Sequence, residues 1–226
     1  MRIGLFSAAV GSMMQEKRLG VISNNMANVD TPGYKRESIH FRDYIYESTY
    51  TQLDQGRVHQ SDSSLDVALV GDGYLKVQTD SGVLYTRAGN LTLNGENVLT
   101  TQDGLPVLGQ NGPITLPGPD VRIERNGQIF DKDNVPIDTL SMVQFGTDSR
   151  LEKVNNGYFK PADGQAQELP AETVSVQQGF LESSNFNVVE EMARMIDTIR
   201  AFEAYEKTMQ AIVEQDSSLI SKCGSL

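Results

Sequence analysis

Two helical patterns bracket a middle that reads as strands. Over residues 3–28, Leu5, Ala8, Ala9, Ser12, Leu19, Ile22 and Met26 fall close to a seven-residue repeat. About 26 helical residues span roughly 39 Å. The stripe is rich in small side chains and poor in bulk, so such a helix is marginal alone and needs a partner, in its own domain or in another chain. From Ser183 to Lys222 a longer pattern places Val188, Met192, Met195, Ile199, Phe202, Tyr205, Met209, Ile212 and Leu219 at steps of mostly three and four. Those are the steps of a coiled-coil seam, interrupted at Asp216. Glu190 with Arg194 and Glu203 with Lys207 are i,i+4 pairs in the favourable order. About 38 residues of helix reach roughly 57 Å, more than a small β module covers.

Between the helices the period changes to two. Leu65, Val67 and Leu69 alternate with Asp66 and Ala68 before Gly71-Asp72-Gly73. Short apolar runs then recur every 8–12 residues to about Phe159, separated by Ser81-Gly82, Gly89-Asn90, Asn94-Gly95, Asp103-Gly104, Asn126-Gly127, Asp133-Asn134 and Asn156-Gly157. This spacing predicts an antiparallel β module over residues 65–182. Residues 37–64, with Phe41, Tyr44, Tyr46 and Tyr50, lack the composition of a loose tether and read as an extended, ordered connector.

The first helix stops at a distinctive stretch, Ser23-Asn24-Asn25-Met26-Ala27-Asn28-Val29-Asp30-Thr31-Pro32-Gly33-Tyr34-Lys35-Arg36. Asparagines compete with the helix for backbone groups and suit its last turn, where carbonyls lack partners. Pro32-Gly33 fits the two central positions of a type II turn. Asn24, Asn25 and Asn28 are either a plain helix stop or neutral amides placed for contacts in a packed assembly, where they donate and accept without the desolvation cost of a charge.

Composition narrows the functions. With 226 residues the chain supports one or two domains. Its formal net charge of −11 argues against nucleic-acid or anionic-lipid binding through the general field. Cys223 is the only cysteine, so no internal disulfide is possible. No apolar run is long enough for a transmembrane helix. The first twelve residues are superficially like a signal peptide, yet Gln15-Glu16-Lys17-Arg18 continues the helical pattern through the point of cleavage, which predicts a retained helix. His40 and His59 stand far from other ligand-type residues, and Gly71-Asp72-Gly73 lacks the rest of a phosphate loop. Asp131-Lys132-Asp133-Asn134 begins like a calcium loop but continues with Val135-Pro136, so a hairpin turn is expected. No catalytic, cofactor or metal site is predicted.

The order and spacing of Asn24-Asn25-x-Ala27-Asn28-x-x-Thr31-x-Gly33-Tyr34-Lys35-Arg36 closely resembles the N-terminal signature of the flagellar basal-body rod and hook family. Gln178 to Asn185, with the helix that follows, and residues 71–116 also resemble that family. The resemblance implies an N-terminal axial helix and turn over 1–36, the connector 37–64, a β-rich outer domain over 65–182 and a C-terminal axial helix over 183–226. The terminal helices would pair as a coiled coil and pack into an inner tube. It implies a structural subunit of the periplasmic rod, exported by the flagellar apparatus without signal cleavage, whose partners are copies of itself and other rod subunits. The assembly interface would include Asn24, Asn25, Asn28, Met192, Met195, Ile199, Phe202, Tyr205, Met209 and Ile212. Short length and the segment Leu53-Asp54-Gln55-Gly56-Arg57-Val58 resemble a proximal-rod subunit more than the longer distal-rod kind. The competing function is a secreted carbohydrate-binding or hydrolytic β-protein, with paired carboxylates such as Asp66 and Asp72.

Overall fold

The computed structural model describes residues 2–42, 45–146, 151–155, 157–162, 167–171 and 173–223. The fold is mixed, with two long helices flanking an antiparallel β-rich region, and the chain divides into two compact units. One holds residues 1–27, 37–52 and 186–226; the other holds 28–36 and 53–185. The chain therefore passes from one to the other at residues 27, 36, 52 and 185.

In the helical unit α1 runs Arg2–Ala27 and α2 runs Val188–Cys223. Helix α2 starts five residues later than its sequence pattern suggests. Asn187 caps it, its side-chain oxygen accepting from Val189 N at 2.9 Å. Residues 183–185 are held elsewhere: Ser184 donates to the Val29 carbonyl and Asn185 accepts from Arg36 N. Glu190 and Glu191 in the first turn of α2 suit the positive end of the helix dipole. The two helices are antiparallel: Gly4 lies against Ile212, Gly11 against Tyr205 and Asn25 against Glu191. The stretch expected as a connector contains a hairpin, Glu37–Arg42 paired with Ile45–Thr51.

The second unit is built from short strands, and every pairing among the described residues is antiparallel. Its largest sheet orders Leu151–Val154, Tyr158–Pro161, Gly82–Thr86, Tyr74–Thr79, Met142–Phe145 and Glu168–Pro170. Val67–Val70 pairs with Ser175–Gln178, and Val58–Gln60 pairs with Phe180–Glu182. The core gathers Val67, Leu69, Leu75, Val77, Leu99, Val107, Ile114, Leu116, Ile129 and Val176. Ala68, read as facing outward, is also fully buried, because Val67–Val70 is covered on both faces. Residues 131–134 do form the hairpin turn expected of them: Asn134 takes φ 59° and its N–H returns to the Asp131 carbonyl at 2.9 Å.

Candidate assembly surface and its anchors

The asparagine stretch folds as its composition dictates. Helix α1 ends at Ala27, and Thr31-Pro32-Gly33-Tyr34 closes a type II turn with Gly33 at φ 69° and Tyr34 N on the Thr31 carbonyl at 3.2 Å. A Cβ on Gly33 would also collide with the backbone of Arg87 and Ala88. Only glycine satisfies both demands.

The three asparagines divide between the units. Asn24 is half-buried and its amide donates to Glu37 Oε2 at 3.1 Å. Asn25 is fully buried, donating to the Glu37 carbonyl at 2.9 Å and to Glu191 Oε1 at 2.8 Å while accepting from Glu37 N at 3.0 Å. It thus joins α1, the hairpin and α2 within the helical unit. Asn28 belongs to the β-rich unit, where its backbone and side-chain oxygens both accept from Thr31.

On α2, Glu191, Met195, Thr198, Phe202, Tyr205, Met209, Ile212 and Asp216 are buried or half-buried, at alternating steps of four and three. The facing row on α1 includes Gly4, Ala8, Gly11, Gln15, Ile22 and Asn25. A Cβ on Gly11 would sit 2.5 Å from the Tyr205 ring, so the ring lies directly on the glycine. Two members of the sequence-derived seam, Met192 and Ile199, lie off this row and are exposed. They fall on a second row with Val189 and Ile196, again at steps of three and four, and Val213 is exposed further along. Helix α1 likewise exposes Ile3, Phe6 and Met13. The sequence pattern merged the two α2 rows because an apolar residue looks the same whichever side of the helix it covers. The polar members Glu191 and Thr198 were missed for the converse reason.

The β-rich unit holds a second anchor that was not singled out from sequence. Lys35 and Glu182 are fully buried and Arg87 is 1 % exposed. Lys35 Nζ lies 2.7 Å from Glu182 Oε1 and 2.6 Å from the Asp54 carbonyl. Arg87 reaches Glu182 Oε2 at 3.1 Å and also donates to the Gly71 carbonyl. Gly56 N donates to Glu182 Oε1 at 2.8 Å, and the Glu182 carbonyl accepts from Gly33 N. The Arg87 guanidinium stands over the Tyr74 ring at 5.3 Å, and Lys153 over the Tyr34 ring at 3.5 Å. Burial pushes the Lys35 ammonium below its ordinary value against the pull of Glu182, with Arg87 adding to the fall. Glu182 and Arg87 each sit in a stretch of β character, where a charge signals either an outward face or a buried partner; pattern alone does not separate the two.

The carboxylates of the enzyme alternative do not form a site. Asp66 is buried and takes the Ser61 hydroxyl, while Asp72 is exposed. A groove of about 1130 Å³ in this unit, lined by residues such as Asn28, Pro32, Thr86, Asp103 and Tyr158, includes neither. Among the described residues no cluster of metal-ligating side chains occurs, and no helix is long and apolar enough to cross a membrane.

Three family models match consecutive parts of the chain. The flagella basal body rod protein model covers residues 7–35, the flagellar hook protein FlgE/F/G D1 domain covers 68–131, and the flagellar basal body rod FlgEFG protein C-terminal model covers 177–221. The chain is 30% identical over 218 residues to the flagellar basal-body rod protein FlgF of Rhizobium meliloti, with 90% of each chain covered. The chain belongs to the flagellar basal-body rod protein family. It is also 29% identical over 248 residues to FlgG of Buchnera aphidicola from Acyrthosiphon pisum, covering 91% of this chain and 94% of that protein. FlgF of Mesorhizobium japonicum is 27% identical over 246 residues, covering 100% and 99%. Rod proteins are structural, not enzymes. Each of the three matched segments supplies one member of the buried trio: Lys35, Arg87 and Glu182 in turn.

Proposed function

We propose that this rod protein is a subunit of the flagellar basal-body rod that self-assembles through its terminal helices, with α1 and α2 paired as a coiled coil. The observation that carries this reading is the pair of apolar rows left uncovered after the helices have packed on each other. Ile3, Phe6 and Met13 on one helix, and Val189, Met192, Ile196 and Ile199 on the other, remain in solvent. Exposed apolar rows of this kind on helices that are already paired mark docking surfaces. The inward row, Met195, Phe202, Tyr205, Met209 and Ile212, holds the subunit's own pairing, and the outward row meets neighbouring copies and other rod subunits. Asn24 and Asn25 brace the helical pair, and within the β-rich unit Asn28 braces the turn at Thr31.

The reading places the subunit in the periplasmic rod, delivered by the flagellar export apparatus with α1 retained. Gly11 and Asn25 support retention, because cleaving α1 would strip Tyr205 and Glu191 of the partners they have here. It requires no nucleic acid and no membrane insertion. We read the subunit as the shorter, proximal-rod kind, since nearly the same share of this chain aligns over 218 residues with the Rhizobium FlgF but over 248 with the Buchnera FlgG. The test is Met192→Lys with Ile199→Lys. Both side chains are already exposed, so the monomer should keep its helical circular dichroism, while basal bodies and swimming are lost with export intact. Normal basal bodies in that variant would overturn the proposal.

A further inference from the structure

Lys35, Arg87 and Glu182 come from chain positions far apart: Glu182 is 147 residues from Lys35 and 95 from Arg87. One carboxylate faces two cations, and the remaining charge is met by the carbonyls of Asp54 and Gly71 and by the Tyr74 ring. Nε of Arg87 is buried with no partner, so the cluster has no spare acceptor among the described residues. Without Glu182 the cavity would hold two unmatched cations, a state that low-dielectric surroundings strongly disfavour. A buried ion cluster is also a poor source of net stability compared with apolar side chains of the same volume. Its use lies in discrimination between a matched and an unmatched arrangement.

We propose that Lys35, Arg87 and Glu182 form a chain-completion clamp: the β-rich unit closes over the segment Asn28–Arg36 only once Glu182 is in place. A chain made or delivered N-terminus first carries Lys35 and Arg87 long before Glu182 arrives. Until then both cations must stay hydrated, and the turn at Thr31–Tyr34, whose Gly33 N bonds the Glu182 carbonyl, has no seat. The strand Phe180–Glu182 also completes the pairing with Val58–Gln60. Closure of this seam is therefore the late, long-range step in the folding of the unit, and the β core around Leu99 and Val107 forms before it.

The test uses the full-length chain and amide exchange read residue by residue. Gly33 N and Ser183 N, bonded to the carbonyls of Glu182 and Arg57, report the seam; Leu99 N and Val107 N, bonded to those of Ile114 and Leu99, report the core. Glu182→Gln, which keeps shape and removes charge, should raise exchange at the seam about tenfold or more. The triple variant Lys35→Met, Arg87→Met, Glu182→Leu should restore seam protection to at least the parent level. In pulse-labelled refolding of the parent, the seam should gain protection after the core, and in the triple variant that delay should shorten. Three results would each overturn the clamp: unchanged seam exchange in Glu182→Gln, a triple variant as open as Glu182→Gln, or a parent seam protected before its core. Should Glu182→Gln open the core as well, the triple variant still decides, since restored protection there assigns the defect to charge and continued opening refutes it.

Discussion

Each of the two units buries one carboxylate from the C-terminal part of the chain against a residue of the same N-terminal stretch. In the helical unit Glu191 meets the Asn25 amide; in the β-rich unit Glu182 meets the Lys35 ammonium. The surroundings differ. The β-rich unit closes a core of fully buried aliphatics around its anchor, and its apolar surface is largely spent. The helical unit packs glycine and alanine against a row that includes a glutamate, a threonine and an aspartate, and leaves its bulkier residues Ile3, Phe6, Met192 and Ile196 outside. A seam of small residues buries little apolar area, so the helical unit draws little stability from its own interior. One unit covers its apolar core with its own chain. The other leaves its bulkier apolar side chains exposed, the surface that the proposed assembly would cover.

The largest effect is expected at Asn25. Asn25→Asp removes the donor that lies 2.8 Å from Glu191 Oε1 and puts a second carboxylate in its place, in a site with 0 % exposure. The expected cost is about 3–5 kcal/mol, against about 1–3 for Asn25→Ala, which leaves the acceptors short but adds no charge. Denaturation followed by helical circular dichroism should show the loss, with the β core exchanging as in the parent. Adding Glu191→Gln to Asn25→Asp should recover part of it. Equal stability of the Asp and Ala variants would show that the pair is not electrostatically isolated.

A smaller effect is expected at Gly11. Removing a glycine from a helix interior gains up to about 1 kcal/mol in propensity, while overpacking costs about 1–3. Since a Cβ there would lie 2.5 Å from the Tyr205 ring, Gly11→Leu should be net destabilising by about 1 kcal/mol. In a Tyr205→Ala background the same substitution should become stabilising. A thermal melt of the four variants reads the sign, and no reversal would mean that the ring simply swings aside.

The helices, the antiparallel middle and the type II turn were legible because each is a local pattern: spacing of apolar residues, turn dipeptides, proline before glycine. What resisted was whatever depends on a partner from elsewhere in the chain. Ser184 and Asn185 look helical but are tied down by Val29 and Arg36. Seam membership on α2 needed the position of α1, so Met192 and Ile199 could not be sorted from Met195 and Phe202 by spacing alone. The β module read as residues 65–182 is, in space, completed by Lys35, Gly56 and Val58–Gln60. Lys35 and Glu182 each lie in a stretch that pointed to the family, yet nothing local says that one is buried against the other.

The smallest effect is expected in the β-rich unit, at an anchor that is not buried. Glu168 on the last strand of the large sheet receives the Lys76 ammonium at 2.7 Å and the Tyr85 hydroxyl at 2.5 Å. Desolvation pushes the Glu168 carboxyl up, but the hydrogen bonds from Lys76 and Tyr85 outweigh it and leave it below its ordinary 4.5. With the folded value below the unfolded one, the stabilisation is complete above pH 4.5 and is lost as pH falls through the folded value. At the alkaline end burial, then Glu168, pushes the Tyr85 phenol above its ordinary 10.0, so stability holds below that pH and falls as it is exceeded. Side chains 20 % and 39 % exposed in the Lys76–Glu168 pair keep the acid effect within about 1 kcal/mol after screening. Lys76→Met should flatten the acid limb of a denaturation profile followed in the near-UV, and Tyr85→Phe the alkaline limb. A full acid limb in Lys76→Met would place its origin outside this pair, whereas the same exchange of charge for shape at Glu182 should be felt at every pH where Lys35 and Arg87 are both charged.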